Sequence, residues 1–217
     1  MLIIEQSHEI LSIPENILRL IEIAGRTCYK SEDRITSSSA EKFVTMLIKA
    51  GHHAMLELGG VITVRFITNR GVTHELVRHR LCSFAQESTR YVNYARKQIE
   101  FILPVWCDKN CLDMEFSSTI PLFEFDDKTY QWLEAVFESE GQYNELIRLG
   151  WRPEQAREVL PNSLKTEIVI QANIREWRHI LQLRTAPSAH PQIRSLMVGF
   201  LDDLKKRVSA IFDDIHP

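Results

Sequence analysis

The sequence predicts an α+β fold, mixed α/β in a looser classification: one domain over residues 1–217, with a small sheet flanked by long helices. Three observations support this. Most of the chain is amphipathic at helical period and has recognisable start and stop residues. Only VITVRFIT at 61–68 and KTEIVIQA at 165–172 have the β-branched content and alternation of strands. Helices and strands do not repeat as βαβ units, and neither type of glycine-rich phosphate loop is present.

Taken in order, Pro14 suits a first helical position and opens an amphipathic helix over 14–29. The stretch 37–51 reads as a second helix, with Ser38 and Glu41 at capping-box spacing and Gly51 to end it. Strand 61–68 follows. Asn69 then caps a short helix through Val77, which delivers Arg78, His79 and Arg80 at its end. A long helix occupies 127–150, stopped by Gly150. Pro153 opens a short helix that Pro161 closes. After strand 165–172, Asn173 caps a helix over 174–184, and an amphipathic helix over 190–212 completes the order.

A chain of 217 residues can bury a proper core, and 44% hydrophobic with 25% charged residues is ordinary for a soluble protein. No apolar run approaches a membrane span, and the N-terminus lacks the basic start and cleavage site of a signal peptide, so a cytoplasmic location is expected. Cys28, Cys82, Cys107 and Cys111 do not form a disulfide framework, and CDKNC has no second ligand pair at zinc-finger spacing. Free thiols and no metal are expected.

Charge is distributed unevenly. Between 65 and 97, Arg65, Arg70, Arg78, Arg80, Arg90, Arg96 and Lys97 face only Glu75 and Glu87, whereas 100–145 is strongly acidic. A pI of 6.3 disfavours a general binder of nucleic-acid polymers. A local basic cluster on an acidic body suits a small anionic ligand.

The densest part of that cluster is ELVRHRLCSFAQESTRYVNY, residues 75–94. Arg78, His79 and Arg80 cannot all point one way, because successive helical residues lie about 100° apart. At a helix end they fan out towards several partners. Arginine forks match phosphate oxygens, and Ser83, Ser88 and Thr89 supply hydroxyls to complete a cradle. The alternative for any one arginine is a solvated face.

A second cationic set lies downstream at Arg157, Arg175, His179 and Arg184. Arg175 and His179 are i,i+4 and share a face, while Arg184 falls about half a turn away. This helix therefore serves two sites or is a surface helix pairing with Glu176 and its neighbours. His52, His53 and Glu57 suggest a metal, but HHAMLE lacks the HExxH arrangement, and a hydrogen-bonding loop is the plainer reading. Cys82 beside Arg80 has either a depressed pKa or a simple packing role.

RHRLCSFAQESTRY has the form RHR-x7-S followed two residues later by Arg-Tyr, and it resembles the signature of flavin-dependent thymidylate synthases. AGRTCYKS, GHHAMLE and THELV are also similar to that family. So is QAREVLPNSLKTEIVIQANIREWRHILQLR, which contains AR-x-x-LP, N-x-R and LR elements in order. The resemblance covers about residues 20–195.

The resemblance implies an enzyme that makes dTMP from dUMP. Methylenetetrahydrofolate would be the carbon donor, NADPH the reductant and FAD the working cofactor. It also implies a homotetramer with active sites built between subunits, and no nucleic-acid polymer or membrane partner. FAD would be held by Arg78, His79, Arg80, Gln86, Asn173, Arg175 and His179, with His52 a flavin or folate neighbour. The nucleotide would meet Glu75, Arg78, Gln86, Glu87, Ser88, Arg90, Arg157 and Arg184, with Arg90 and Arg157 on its phosphate. Arg184 is the implied catalytic residue. A guanidinium stays protonated at neutral pH and is no base, so Arg184 would stabilise negative charge on the uracil ring.

Three positions depart from the family pattern. Gln86 replaces a glutamate of some members, Ala85 a common polar residue, and His179 an asparagine. A flavin makes a protein nucleophile unnecessary, so neither Cys82 nor Ser88 is expected to attack the ring. The rival reading is a nucleotide- or RNA-binding module without turnover.

Overall fold

The computed structural model describes residues 1–112 and 125–217. In chain order its strands and α-helices are β1 Leu2–Ile4, β2 Ser7–Ser12, α1 Ile17–Tyr29, α2 Ser39–Lys49, β3 Val61–Asn69, α3 Arg70–Leu76, β4 Cys82–Gln86, β5 Glu100–Ile102, α4 Asp127–Arg148, α5 Pro153–Ala156, β6 Lys165–Asn173, α6 Ile174–Arg184, α7 Pro191–Arg207 and α8 Ser209–Phe212. β1 pairs in parallel with β5, placing Ile3 opposite Phe101, and the remaining strands run β2-β3-β6-β4. The mixed helix-and-sheet class is as expected. No described helix is long and apolar enough to cross a membrane.

The chain packs as two compact units. The first comprises Met1–Ser7, Phe66–Leu76 and Ala85–Ile168. Its core gathers Ile3, Phe101, Leu103, Leu133, Val136, Tyr143 and Leu164, each burial worth about 1.5–3 kcal/mol before entropy is counted. Tyr143 meets Tyr94 edge-on at 6.0 Å, and its hydroxyl oxygen accepts the Tyr94 backbone N–H at 3.2 Å. Helix α4 starts where Asp126 accepts from the N–H groups of Lys128 and Thr129, and it ends before Gly150 at φ +95. α5 begins at Pro153 as expected, but its last turn tightens to a 3₁₀ turn over Arg157–Val159 before Pro161.

The second unit comprises His8–Arg65, Val77–Phe84 and Val169–Pro217. Trp177 of α6 is fully buried, meets Phe200 of α7 edge-on at 5.1 Å, and donates its indole N–H to the Ile62 carbonyl at 3.0 Å. A 3₁₀ turn over His53–Gly59 packs against α1 and α6. Gly59 allows that approach, since a Cβ there would lie 2.8 Å from Ile21 and 3.1 Å from Ile174.

Two side-chain caps form as the sequence predicts. Asn69 Oδ1 accepts from Val72 N–H at 2.8 Å, and Asn173 Oδ1 accepts from Glu176 N–H at 2.9 Å. Other boundaries differ. α1 begins at Ile17 with Asn16 at its cap; Pro14 lies against Gly60, where a Cβ would come within 2.8 Å of its ring. Ser38 makes no side-chain cap bond, so there is no capping box on α2; Ser39 Oγ accepts from Thr36 N–H instead. The expected final helix breaks at Val208 into α7 and α8. β1, β2, β4 and β5 are strands beyond the two that the sequence predicts, and β4 lies inside the RHR-x7-S motif.

Candidate active site

In the second unit, the chain leaves α3 through residues 77–81, and the RHR triplet fans out there. Arg78 and Arg80 are exposed, while His79 is buried at 6% exposure. Arg184, at the end of α6, donates its Nε–H to His79 Nε2 at 3.1 Å. His179 meets the same ring edge-on at 5.9 Å, and Glu176 Oε1 lies 3.8 Å from His79 Nδ1. Burial first, then the positive field of Arg184 and the neighbouring His179, lowers the His79 pKa to about 4. His79 is therefore neutral near pH 7 and can accept from Arg184.

α6 has a buried and an exposed face. Ile174, Trp177, Ile180 and Leu181 are buried, while Arg175, His179 and Gln182 share an exposed face. That face borders a cleft of about 560 Å³ that also includes Asn173, His53 and Glu57. It is His53 that lines the cleft; His52 stands exposed at the start of the 3₁₀ turn. Arg175 pairs with Glu57 at 2.6 Å, both about half exposed, an interaction worth about 0–1 kcal/mol and open to exchange for another anion.

Cys82 has no depressed pKa. Burial and the Glu176 carboxylate push its thiol up to about 12, so the packing alternative holds. All four cysteines are free thiols. Among the described residues no group of three or more His, Cys, Asp or Glu is arranged to hold a metal ion.

From Ala85 onward the motif lies in the first unit, where it forms the end of β4 and a following turn. Gln86 donates through Nε2 to Thr73 Oγ1 at 3.0 Å and Thr166 Oγ1 at 3.3 Å. Thr73 gives its own hydroxyl proton to the Arg70 carbonyl at 3.0 Å, so its oxygen is an acceptor for the Gln86 amide. Tyr91 and Val92 N–H groups close the turn on the Ser88 carbonyl, and Ser88 Oγ accepts from Arg90 N–H at 3.3 Å. Arg90 is exposed with its guanidinium 5.5 Å from the Tyr91 ring centre. Glu87 belongs to a separate network: Oε1 accepts from the Tyr94 hydroxyl at 3.1 Å, and Lys165 Nζ lies 3.6 Å from Oε2. Glu75 is half-buried on α3.

The downstream AR-x-x-LP element folds back onto this turn. Arg157 donates to Thr89 Oγ1 at 3.0 Å across 68 residues, at the edge of a pocket of about 300 Å³. The same pocket contains a residue that the sequence reading did not single out. Arg70 borders it, and its Nη1 is buried with no hydrogen-bond partner among the described residues. A buried, unsatisfied guanidinium nitrogen is costly, which points to an anion as its ligand. The available signal was Arg70's place in the basic run 65–97, directly after the Asn69 cap.

The fold is mixed α+β, and each unit carries arginine side chains beside a cleft or pocket. The family model "Thymidylate synthase complementing protein" matches residues 9–208, spanning segments of both units. The flavin-dependent thymidylate synthase of Corynebacterium efficiens is 35% identical over 204 residues, covering 91% of this chain and 79% of that protein. Those of Corynebacterium diphtheriae and Mycobacterium tuberculosis are 32% and 33% identical, each over 91% of this chain and 78% and 79% of the relative. The chain belongs to the flavin-dependent thymidylate synthase family, and so to the flavin-using enzymes that make thymidylate.

Proposed function

We propose that the chain converts dUMP to dTMP with FAD as its bound cofactor, methylenetetrahydrofolate as carbon donor and NADPH as reductant. On this reading it works in the cytoplasm as a homotetramer with active sites built between subunits. The observation that carries the proposal is the Arg157–Thr89 bond beside the unsatisfied Nη1 of Arg70. Two motif elements 68 residues apart converge on a pocket whose chemistry suits a phosphate monoester.

In this pocket, Arg157 and Arg70 hold the dUMP phosphate, with Arg90 and the Ser88 turn beside it. Glu75 and Gln86 would position the rest of the nucleotide, and Glu87 fixes the turn from behind through Tyr94 and Lys165. The flavin fits the other set. Arg175 is exposed on an ion pair with Glu57, and His179 and Asn173 border the same cleft, so these side chains would hold an anionic part of the cofactor. Arg78 and Arg80, both exposed, would add contacts from the turn after α3, while His79 lies buried and engaged with Arg184.

Bound flavin supplies the hydride chemistry. The side chains bind, orient and stabilise charge. Arg184 offsets negative charge on the uracil ring, and His79 fixes the Nε edge of its guanidinium.

Absorbance of the purified or FAD-reconstituted protein provides the test, together with dUMP titration. Flavin bands that respond to added dUMP support the proposal. A colourless protein that neither takes up FAD nor binds dUMP would indicate a module without this chemistry.

A further inference from the structure

Glu176 is 7% exposed, and its backbone N–H is committed to the Asn173 cap. Its carboxylate faces the ring that Arg184 holds, with Oε1 3.8 Å from His79 Nδ1. Burying a carboxylate is costly unless something compensates it. Arg178, its neighbour on α6, is already bound in bidentate fashion to Asp214 at 2.6 and 2.7 Å.

The tautomer of His79 follows from its contacts. A neutral imidazole carries one N–H, and Nε2 must present its lone pair to the Arg184 Nε–H. The proton is therefore on Nδ1, directed towards Glu176. At 3.8 Å this is an electrostatic contact between an N–H dipole and a carboxylate. The opposite tautomer would set a donor against the Arg184 donor and a lone pair against the carboxylate.

We infer that Glu176 is a positioning residue for Arg184: it holds His79 in the Nδ1–H tautomer, so that Nε2 remains the acceptor that orients the guanidinium. The inference rests on the proposed catalytic role of Arg184. The groups facing His79 are Arg184, His179 and Glu176, all from α6, and its pKa of about 4 keeps the relay neutral at working pH.

The test combines ¹⁵N-histidine NMR of the full-length protein with steady-state kinetics of Glu176→Gln and Glu176→Leu. The wild type should show His79 protonated on Nδ1, and an Nε2–H signal there would overturn the inference without any variant. Glu176→Gln keeps an acceptor oxygen and should retain both the tautomer and most of kcat. Glu176→Leu should shift the tautomer and lower kcat by about tenfold or more, the scale of losing the charge-assisted Arg184–His79 hydrogen bond, with dUMP KM and flavin content within about twofold. An unchanged tautomer in Glu176→Leu, or equal kcat losses in both variants, would also overturn it. If the wild type makes no dTMP, the catalytic role of Arg184 fails, but the tautomer measurement still stands.

Discussion

Arg184 Nε and His79 Nε2 lie 3.1 Å apart although 105 residues separate them in sequence. The bond joins the central residue of the RHR motif to the arginine of the LR element, and it requires a neutral His79. Burial and the adjacent positive charge provide that neutrality by lowering the pKa from 6.5 to about 4.

The first prediction concerns pH and stability. The folded His79 pKa lies below its unfolded value, so between about pH 6.5 and 4 the unfolded chain binds more protons. The His79 contribution is fully present above pH 6.5 and lost as pH falls towards 4, by up to about 3 kcal/mol. Urea midpoints at pH 7 and pH 4.5 should therefore differ more for wild type than for His79→Asn. Equal pH dependence in the two proteins would mean that the buried imidazole is not what titrates.

The arginines should separate by ligand. Arg157→Ala and Arg90→Ala should weaken dUMP binding about tenfold or more, leaving flavin content nearly normal. Arg70→Met should behave like Arg157→Ala, with little loss of affinity for deoxyuridine, which lacks the phosphate. Arg175→Ala should lose flavin and retain dUMP binding. Calorimetry and flavin absorbance measure both quantities. Parallel losses in all four variants would mark a structural network instead of two sites.

Arg184→Lys keeps the charge but should lose most turnover. A lysine cannot give its Nε–H to His79 while presenting a planar fork to two acceptors. Stopped-flow measurement should place the loss in nucleotide reduction, with flavin reduction by NADPH less affected. Near-normal turnover would remove Arg184 from the chemistry.

Cys82→Ala should remain active, because a thiol with a pKa near 12 is not a nucleophile at neutral pH. Ser88→Ala should bind dUMP less well yet still turn over, since Ser88 Oγ organises the turn by accepting from Arg90 N–H. Mass spectrometry of a quenched reaction should find no adduct between nucleotide and either side chain.

Much of this was legible in the sequence where local chemistry decides the structure. The Asn69 and Asn173 caps, the strands ending beside them and the two faces of α6 follow from capping and periodicity. The other strands were not. β1 and β5 are three residues each, too short for a period, and β2 is SHEILS, mostly polar. β4 alternates only between half-buried Cys82, Phe84 and Gln86 and exposed Ser83 and Ala85, within a motif read for its charges. Arg70 and Glu176 were missed because one looks like part of a basic run and the other like a surface partner for Arg175. Burial separates them from that background, and burial is a property of the packed chain.

The most direct test is dTMP formation by FAD-reconstituted protein supplied with dUMP, methylenetetrahydrofolate and NADPH, with Arg184→Lys run in parallel. Wild type should form dTMP as NADPH is consumed, and omission of any one substrate should abolish the product. The variant should bind flavin and dUMP yet form little dTMP. A flavin-loaded, dUMP-binding wild type that forms no dTMP would contradict the proposed reaction.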